Sequence, residues 1–181
     1  MNFAKLTIAV AAFAVSGVAV AAQDGTPGPT STGSSVVTII KQDAAQITKV
    51  NDLNFNNPGF LSNDVRLADD VCVFSTTGAY NVTLTSTNGT NDFLLRNGSG
   101  DDMPYSVAWG AATTLGAVGS GTAITGGTAL AGQAGNGTDL DCAGDAGGVN
   151  AAFAVEIAAA DYNAAPVGTY TDILTILVAP E

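Results

Sequence analysis

The side chains available for chemistry are carboxylates, hydroxyls and two cysteines, because the 181-residue chain contains no histidine. A histidine triad, a histidine general base and a histidine metal ligand are excluded together. Asp69-Asp70 and Asp101-Asp102 are adjacent acid pairs. Glycoside hydrolysis needs two carboxyls at a set separation, one with a raised pKa. Both pairs sit in turn-like stretches, where an Asp caps backbone N–H groups, and that reading is preferred. The only glutamates are Glu156 and Glu181. Glu156 alternates away from Phe153 and Val155, so a solvated face is expected for it. Asp139-x-Asp141-x-x-x-Asp145 beside glycines hints at calcium, but the closing Glu of an EF-hand loop is missing. No Gly-x-Ser-x-Gly elbow occurs. The pattern weighs against an enzyme, and no cofactor or metal is expected. Asn81, Asn88, Asn97 and Asn136 each open a glycosylation sequon, which a Thr- and Gly-rich chain also produces by chance.

Charge narrows the partners. Five basic residues stand against sixteen acidic ones, a net charge of −11. Such a surface repels nucleic-acid phosphates and anionic lipid heads.

The first 22 residues read as an export signal. Met1 to Lys5 give a short basic start, an apolar stretch follows from Leu6, and Val20-Ala21-Ala22 before Gln23 suits cleavage. Cleavage after Ala21 is the next choice, and an uncleaved anchor is the rival reading. The run from Leu6 to Ala22 falls short of the ~20 residues that span a bilayer. Export changes the meaning of Cys72 and Cys142, the only two cysteines. In an oxidising compartment they are expected to pair. Closing so long a loop removes about 4 kcal/mol of unfolded-state entropy in the chain-entropy treatment. Zinc is the weaker alternative, since it needs about four ligands.

The elements that must position these groups read as strands. Residues 23–35, QDGTPGPTSTGSS, cannot pack a core and form a flexible leader. Val36-Val37-Thr38-Ile39-Ile40 is β-branched throughout, a strong strand signal. Further strands are expected at 46–50, 70–75, 80–87, 93–96, 105–109, 149–158 and 169–178, with a turn at 56–59 and a helical turn near Ala159. Between Gly110 and Gly148, rich in Gly, Ala, Thr and Ser, two or three short strands and long loops are expected. Tyr80, Tyr105, Trp109, Phe153 and Tyr170 are the candidate buried aromatics. Tyr170, Leu174, Ile176 and Val178 alternate onto one face, and Ile173 and Leu177 onto the other. An apolar strand on both faces suggests that something covers the second face. Short strands at even spacing without a sustained helical period make the fold all-β, a sandwich in preference to a barrel. A sandwich lacking one strand exposes a groove between strand edges, which an N-terminal strand of a neighbouring copy could fill head to tail.

Three places carry a resemblance. Met103-Pro104-Tyr105-Ser106-Val107-Ala108-Trp109-Gly110 looks like the "MPxSVxWGG" strand of the major subunits of chaperone–usher fimbriae, with Ala111 in place of the last glycine. Gly168-Thr169-Tyr170-Thr171-Asp172-Ile173-Leu174-Thr175-Ile176 resembles the family's closing "GxYxDxxxxxx" strand. Residues 36–41 and 44–55 sit where the family has its donor strand and first domain strand. The likeness is to the archaic and CFA/I-like branches related to spore coat protein U, and 110–148 matches nothing in it. It implies an incomplete immunoglobulin-like sandwich completed by donor-strand exchange, with 1–22 the signal, 23–35 the leader, 36–42 the donor strand and 43–181 the pilin domain. Val36, Val37, Thr38, Ile39 and Ile40 would be the donor, with Val36, Thr38 and Ile40 preferred as the inward set over Val37 and Ile39. Ile47, Ile173 and Leu177 would line the acceptor groove. The Cys72–Cys142 placement departs from the family, where a disulfide lies nearer the first strand. The implied partners are a periplasmic chaperone, an outer-membrane usher and further copies of the chain, with export to the cell surface and a role in adhesion or biofilm. The alternative is a secreted monomeric β-sandwich that binds carbohydrate or acts as an adhesive module, marked by an exposed aromatic platform.

Overall fold

The computed structural model describes residues 22–56 and 59–181. The export signal lies outside the described residues except for Ala22, as do Asn57 and Pro58 of the expected turn. The chain divides into an N-terminal unit ending at Lys41 and a larger unit, Gln42–Glu181. In the first unit, Gln23 and Ser34 exchange two backbone hydrogen bonds of 3.1 and 2.9 Å, so the leader is a loop closed at its ends. Residues 36–40 belong to no ladder, despite their composition. Val37 and Ile39 are each 92% exposed and Ile40 82%. β-branched residues favour an extended chain, but a strand exists only against a partner edge.

The larger unit is a two-sheet antiparallel sandwich. One sheet has the order β1 (Ala45–Thr48), β2 (Val65–Ser75), β8 (Ala151–Ile157), β5 (Asp102–Ala111), β4 (Phe93–Arg96), and β6 (Thr122–Ala123) also pairs with β5. The second sheet has the order β7 (Leu130–Ala134), β3 (Ala79–Ser86), β9 (Leu174–Pro180). The strands expected at 46–50, 80–87 and 93–96 appear within a residue or two. β2 starts five residues before the expected Asp70, because Val65 to Val71 pair with Ile157 to Ala151 along β8. The segment 110–148 contributes only β6 and β7. The short helix α1 (Ala159–Ala164) ends before Pro166, as a proline requires. Among the described residues, no helix is long and apolar enough to cross a membrane.

Alternation decides the core. Val71 and Val73 of β2, Tyr80, Val82 and Leu84 of β3, and Val107 and Trp109 of β5 are buried and meet between the sheets. Trp109 crosses the sandwich edge-on to Tyr80, with ring centroids 6.3 Å apart and planes at 80°, and its Nε1–H donates to the Tyr80 hydroxyl at 3.1 Å. Cys72, on the outer face of β2, is fully buried and bonded to Cys142. The disulfide therefore ties the glycine-rich segment to the sheet's outer face instead of joining the two sheets.

That outer face is not solvated, which corrects the expectation for Glu156. Residues 112–121 fold over it, and Leu115 packs on Ala152 and Ala154 of β8. Arg66 on β2 donates to Glu156 at 2.9 Å, to the Leu115 carbonyl at 2.7 Å and to the Ser120 carbonyl at 2.7 Å. Glu156 also accepts the Gly119 N–H at 3.0 Å. Register made the pair, because Arg66 stands opposite Glu156 in the β2–β8 ladder. Arg66→Met should cost about 3 kcal/mol, since the partly buried carboxylate and two loop carbonyls lose their donor. Arg66→Met with Glu156→Leu should recover the part of that loss due to the unpaired carboxylate. Urea unfolding of both variants checks this, and equal losses in the two would refute a coupled pair.

Candidate functional site

The sandwich is open along one seam. Among the described residues, β1 pairs only with β2 and β9 only with β3, so each leaves an edge free. In an antiparallel ladder, alternate residues bond to the partner and the others point their N–H and C=O away. Thr87 N–H donates to the Ile173 carbonyl and Glu181 N–H to the Ala79 carbonyl, which puts the odd residues of β9 in the ladder with β3. Leu174, Ile176 and Val178 therefore present their backbone groups to the open seam. On the opposite side, β1 stops where Lys49 adopts φ 64°. A left-handed residue turns the chain off the β2 ladder. Residues 50–56 continue as an irregular segment outside any ladder. Asp69 secures its start by accepting from the Asn51 N–H at 2.7 Å and the Asn51 side-chain amide at 3.0 Å.

Between segments 50–56 and 168–176 lies a groove of about 660 Å³. Its floor is the inner face of the large sheet: Met103 and Tyr105 of β5, and Phe153, Val155 and Ile157 of β8. Leu53 and Phe55 form one wall and Leu174 and Ile176 the other, all of them half-buried. Tyr170 closes one end of the wall. Its hydroxyl donates to the Pro166 carbonyl at 2.9 Å, four residues earlier in the chain, and accepts from the Asn97 side chain at 3.3 Å. A tyrosine that bonds back to the preceding loop at the start of this strand is the tyrosine corner of immunoglobulin-like domains.

One polar lock sits among these apolar walls. The Tyr105 hydroxyl donates to Asp172 at 2.5 Å, and Asp172 also accepts the Thr87 and Asn88 N–H groups at 3.1 and 3.3 Å. Burial, then the neighbouring Asp172 carboxylate, push the Tyr105 phenol well above its ordinary range. Burial likewise pushes Tyr80 up to about 12, opposed by the hydrogen bond from Trp109.

The structure distributes the sequence-selected residues unevenly. Ile173 lines the groove rim, although it is 69% exposed. Ile47 packs against the core without reaching the groove. Leu177 is 61% exposed and lies outside the lining. The chain at β9 thus contributes Leu174 and Ile176 to the wall and Ile173 to the rim. Tyr170 alternates with Leu174 and Ile176, so its burial was the signal for the wall. Val36, Val37, Thr38, Ile39 and Ile40 lie in the N-terminal unit, exposed and without a ladder. Cys72 and Cys142 are bonded to one another.

The acidic groups hold the chain together. Asp69 and Asp70 lie inside β2, not in a turn, and Asp70 accepts the Thr113 N–H at 2.8 Å. Asp102 opens β5 and pairs two-pronged with Arg96 at 2.6 and 2.9 Å. Asp145 accepts from the Asn136 amide at 2.9 Å, and Asp141 accepts the Ala143 N–H at 3.2 Å. Among the described residues, no group of three or more His, Cys, Asp and Glu gathers as a metal site would need. Three sequon amides are also engaged: Asn88 donates to the Leu94 and Thr171 carbonyls, Asn97 to Asp101, and Asn136 to Asp145.

The paired antiparallel sheets, the tyrosine corner and the all-β content define an immunoglobulin-like sandwich. No family model matches the chain, and no curated protein matches it. Among solved structures it is similar to a chain from a "Chaperone-tip adhesin complex" described as "vital for synergistic activation of CFA/I fimbriae biogenesis". The TM-score is 0.52 at 14% identity, and the match covers 76% of this chain and 41% of that one. This likeness concerns the fold.

The unfolded chain ionises tyrosine near pH 10, whereas folded Tyr80 keeps its proton to about 12. Between those values the unfolded state binds fewer protons, so stability falls as pH rises. The expected loss is on the order of 2 kcal/mol. Denaturant midpoints across the interval measure it, and Tyr80→Phe should lessen the slope, leaving the part that Tyr105 contributes. An unchanged slope in that variant would refute the assignment.

Proposed function

We propose that this chain is a structural subunit of an extracellular pilus whose groove is filled by a strand from another polypeptide. The carrying observation is the apolar seam between segments 50–56 and 168–176, with the backbone groups of Leu174, Ile176 and Val178 facing it unladdered. An extended segment laid along β9 satisfies those groups and covers the floor at once. Val36, Val37, Thr38, Ile39 and Ile40 supply the complementary chemistry: β-branched, uncharged and exposed. Five residues in a strand span about 17 Å, the length of Leu174 to Val178 along β9. Each aliphatic side chain moved from water into the groove contributes about 2 kcal/mol. The preferred occupant in the fibre is residues 36–40 of the next copy, with Val36, Thr38 and Ile40 inward. Before assembly, a periplasmic chaperone strand holds the groove and an outer-membrane usher exchanges it. The fold likeness to a chain of a fimbrial chaperone–adhesin complex supports this reading. Attachment or biofilm formation is the role such a fibre serves. A carbohydrate-binding module lacks comparable support: Phe60, 68% exposed, is the one aromatic among the described residues that is not at least half-buried.

The test uses a peptide of residues 35–41 and the chain deleted for 36–41. The deleted chain should form no filaments yet bind the peptide, and saturation a hundredfold above Kd should stabilise it by about 2.7 kcal/mol. For a domain of this size the shift in Tm is roughly 5–10 °C. Ile176→Asp should abolish both filaments and the shift. A folded deletion variant that still polymerises, or a peptide that leaves Tm unchanged, would sink the proposal.

A further inference from the structure

We propose that the mature chain begins with a pyroglutamyl residue formed from Gln23. The inference rests on removal of residues 1–22 but not on the pilus reading. Cleavage between Ala22 and Gln23 frees an α-amine on a residue whose own side chain carries an amide at five-ring distance. An α-amine with a pKa near 8 is roughly one-tenth unprotonated at neutral pH, so a nucleophile is present without a catalyst. Its nitrogen attacks the Gln23 side-chain carbonyl carbon. A C–N bond closes the lactam, the bond from that carbon to the side-chain nitrogen breaks, and the leaving nitrogen takes one amine proton away as ammonia. Nothing is oxidised or reduced, and no co-reactant is consumed.

The structure leaves Gln23 open to this reaction. Gln23 is exposed, and its side-chain amide has no hydrogen-bond partner among the described residues, so the electrophile is free to turn back on the amine. One of the two main-chain bonds at Gln23 survives the reaction unchanged. Its N–H donates to the Ser34 carbonyl and its C=O accepts the Ser34 N–H. The main-chain carbonyl is untouched, so the bond from the Ser34 N–H is retained, whereas the ring carbon takes the position of the amide hydrogen and the bond to the Ser34 carbonyl is given up unless the residue turns. The reaction removes the terminal positive charge and leaves a neutral cap that aminopeptidases do not open.

The full chain, including residues 1–22, is exported from a bacterial host, isolated quickly and acidified to suppress later cyclisation. Mass spectrometry should give residues 23–181 less one ammonia. Edman degradation should fail until pyroglutamyl aminopeptidase is added, and Gln23→Ala should be readable at once. A free Gln23, a different first residue or a retained leader would each overturn the proposal. Filaments are scored on the same samples. A free terminus in assembled fibres defeats this inference alone, and a blocked terminus on a strictly monomeric protein defeats the pilus reading alone.

Discussion

The free edges of β1 and β9 are the constraint on which the rest of the molecule depends. A sandwich of this kind closes its core by placing a strand between two such edges. Here the chain supplies irregular segment 50–56 on one side and the β9 edge on the other, with nothing laddered between them. Two costs accumulate in the same place. Backbone donors and acceptors along β9 go without protein partners, and the half-buried walls leave apolar surface in reach of water. One extended segment relieves both, whereas a compact ligand relieves only the second. The groove's shape therefore suits an extended segment by conformation before side chains are considered.

The opposite surface shows what the same chain does when it seals a sheet from within. Residues 112–121 cover the outer face of β2 and β8 with few large side chains, using Leu115 as the plug. Glycine makes so close a cover possible. A Cβ on Gly121 would overlap Leu115 and approach the Trp109 carbonyl to 2.9 Å, and Gly121 also holds φ 84°. Arg66 and Glu156 then satisfy the polar groups that the cover would bury. The Tyr105–Asp172 bond performs a related service at the groove. It anchors the chain entering β9 to the floor strand and to the end of β3, so the free edge is held rigid while unpaired.

Much of this was legible in the sequence, and the failures have physical reasons. Period-two alternation located β3, β4, β5, β8 and β9, because burial on one face leaves a pattern that survives without coordinates. The disulfide was legible because two cysteines, in a chain whose start reads as an export signal, have one pairing. The sign of the β9 face was not, since both of its faces are apolar and alternation alone cannot say which is inward. Glu156 misled because alternation reports on the sheet and is silent about a loop folded over it. The early start of β2 was hidden by Asp69 and Asp70, turn-forming residues that here sit in a ladder because β8 offers a long partner. Segment 50–56 was the hardest part of the site to foresee. Its irregularity follows from Lys49 taking a left-handed conformation, which no residue type at that position announces.

Charge explains why a chain with an open apolar seam need not aggregate indiscriminately. Five basic residues against sixteen acidic ones make any two copies repel, over a range of about 8–10 Å at physiological salt. Encounters between arbitrary faces bring carboxylates together and gain little in return. Residues 36–40 and the groove floor carry no ionisable group except the Tyr105 phenol, which burial keeps protonated. Under the proposed assembly, the productive meeting is the one in which a neutral strand lies over the apolar floor, the Asp172 carboxylate is already held by Tyr105, Thr87 and Asn88, and ladder bonds form along β9. Repulsion elsewhere then acts as selection: it removes the unproductive contacts without weakening the productive one, so that order in a fibre follows from an unfilled edge on an acidic surface.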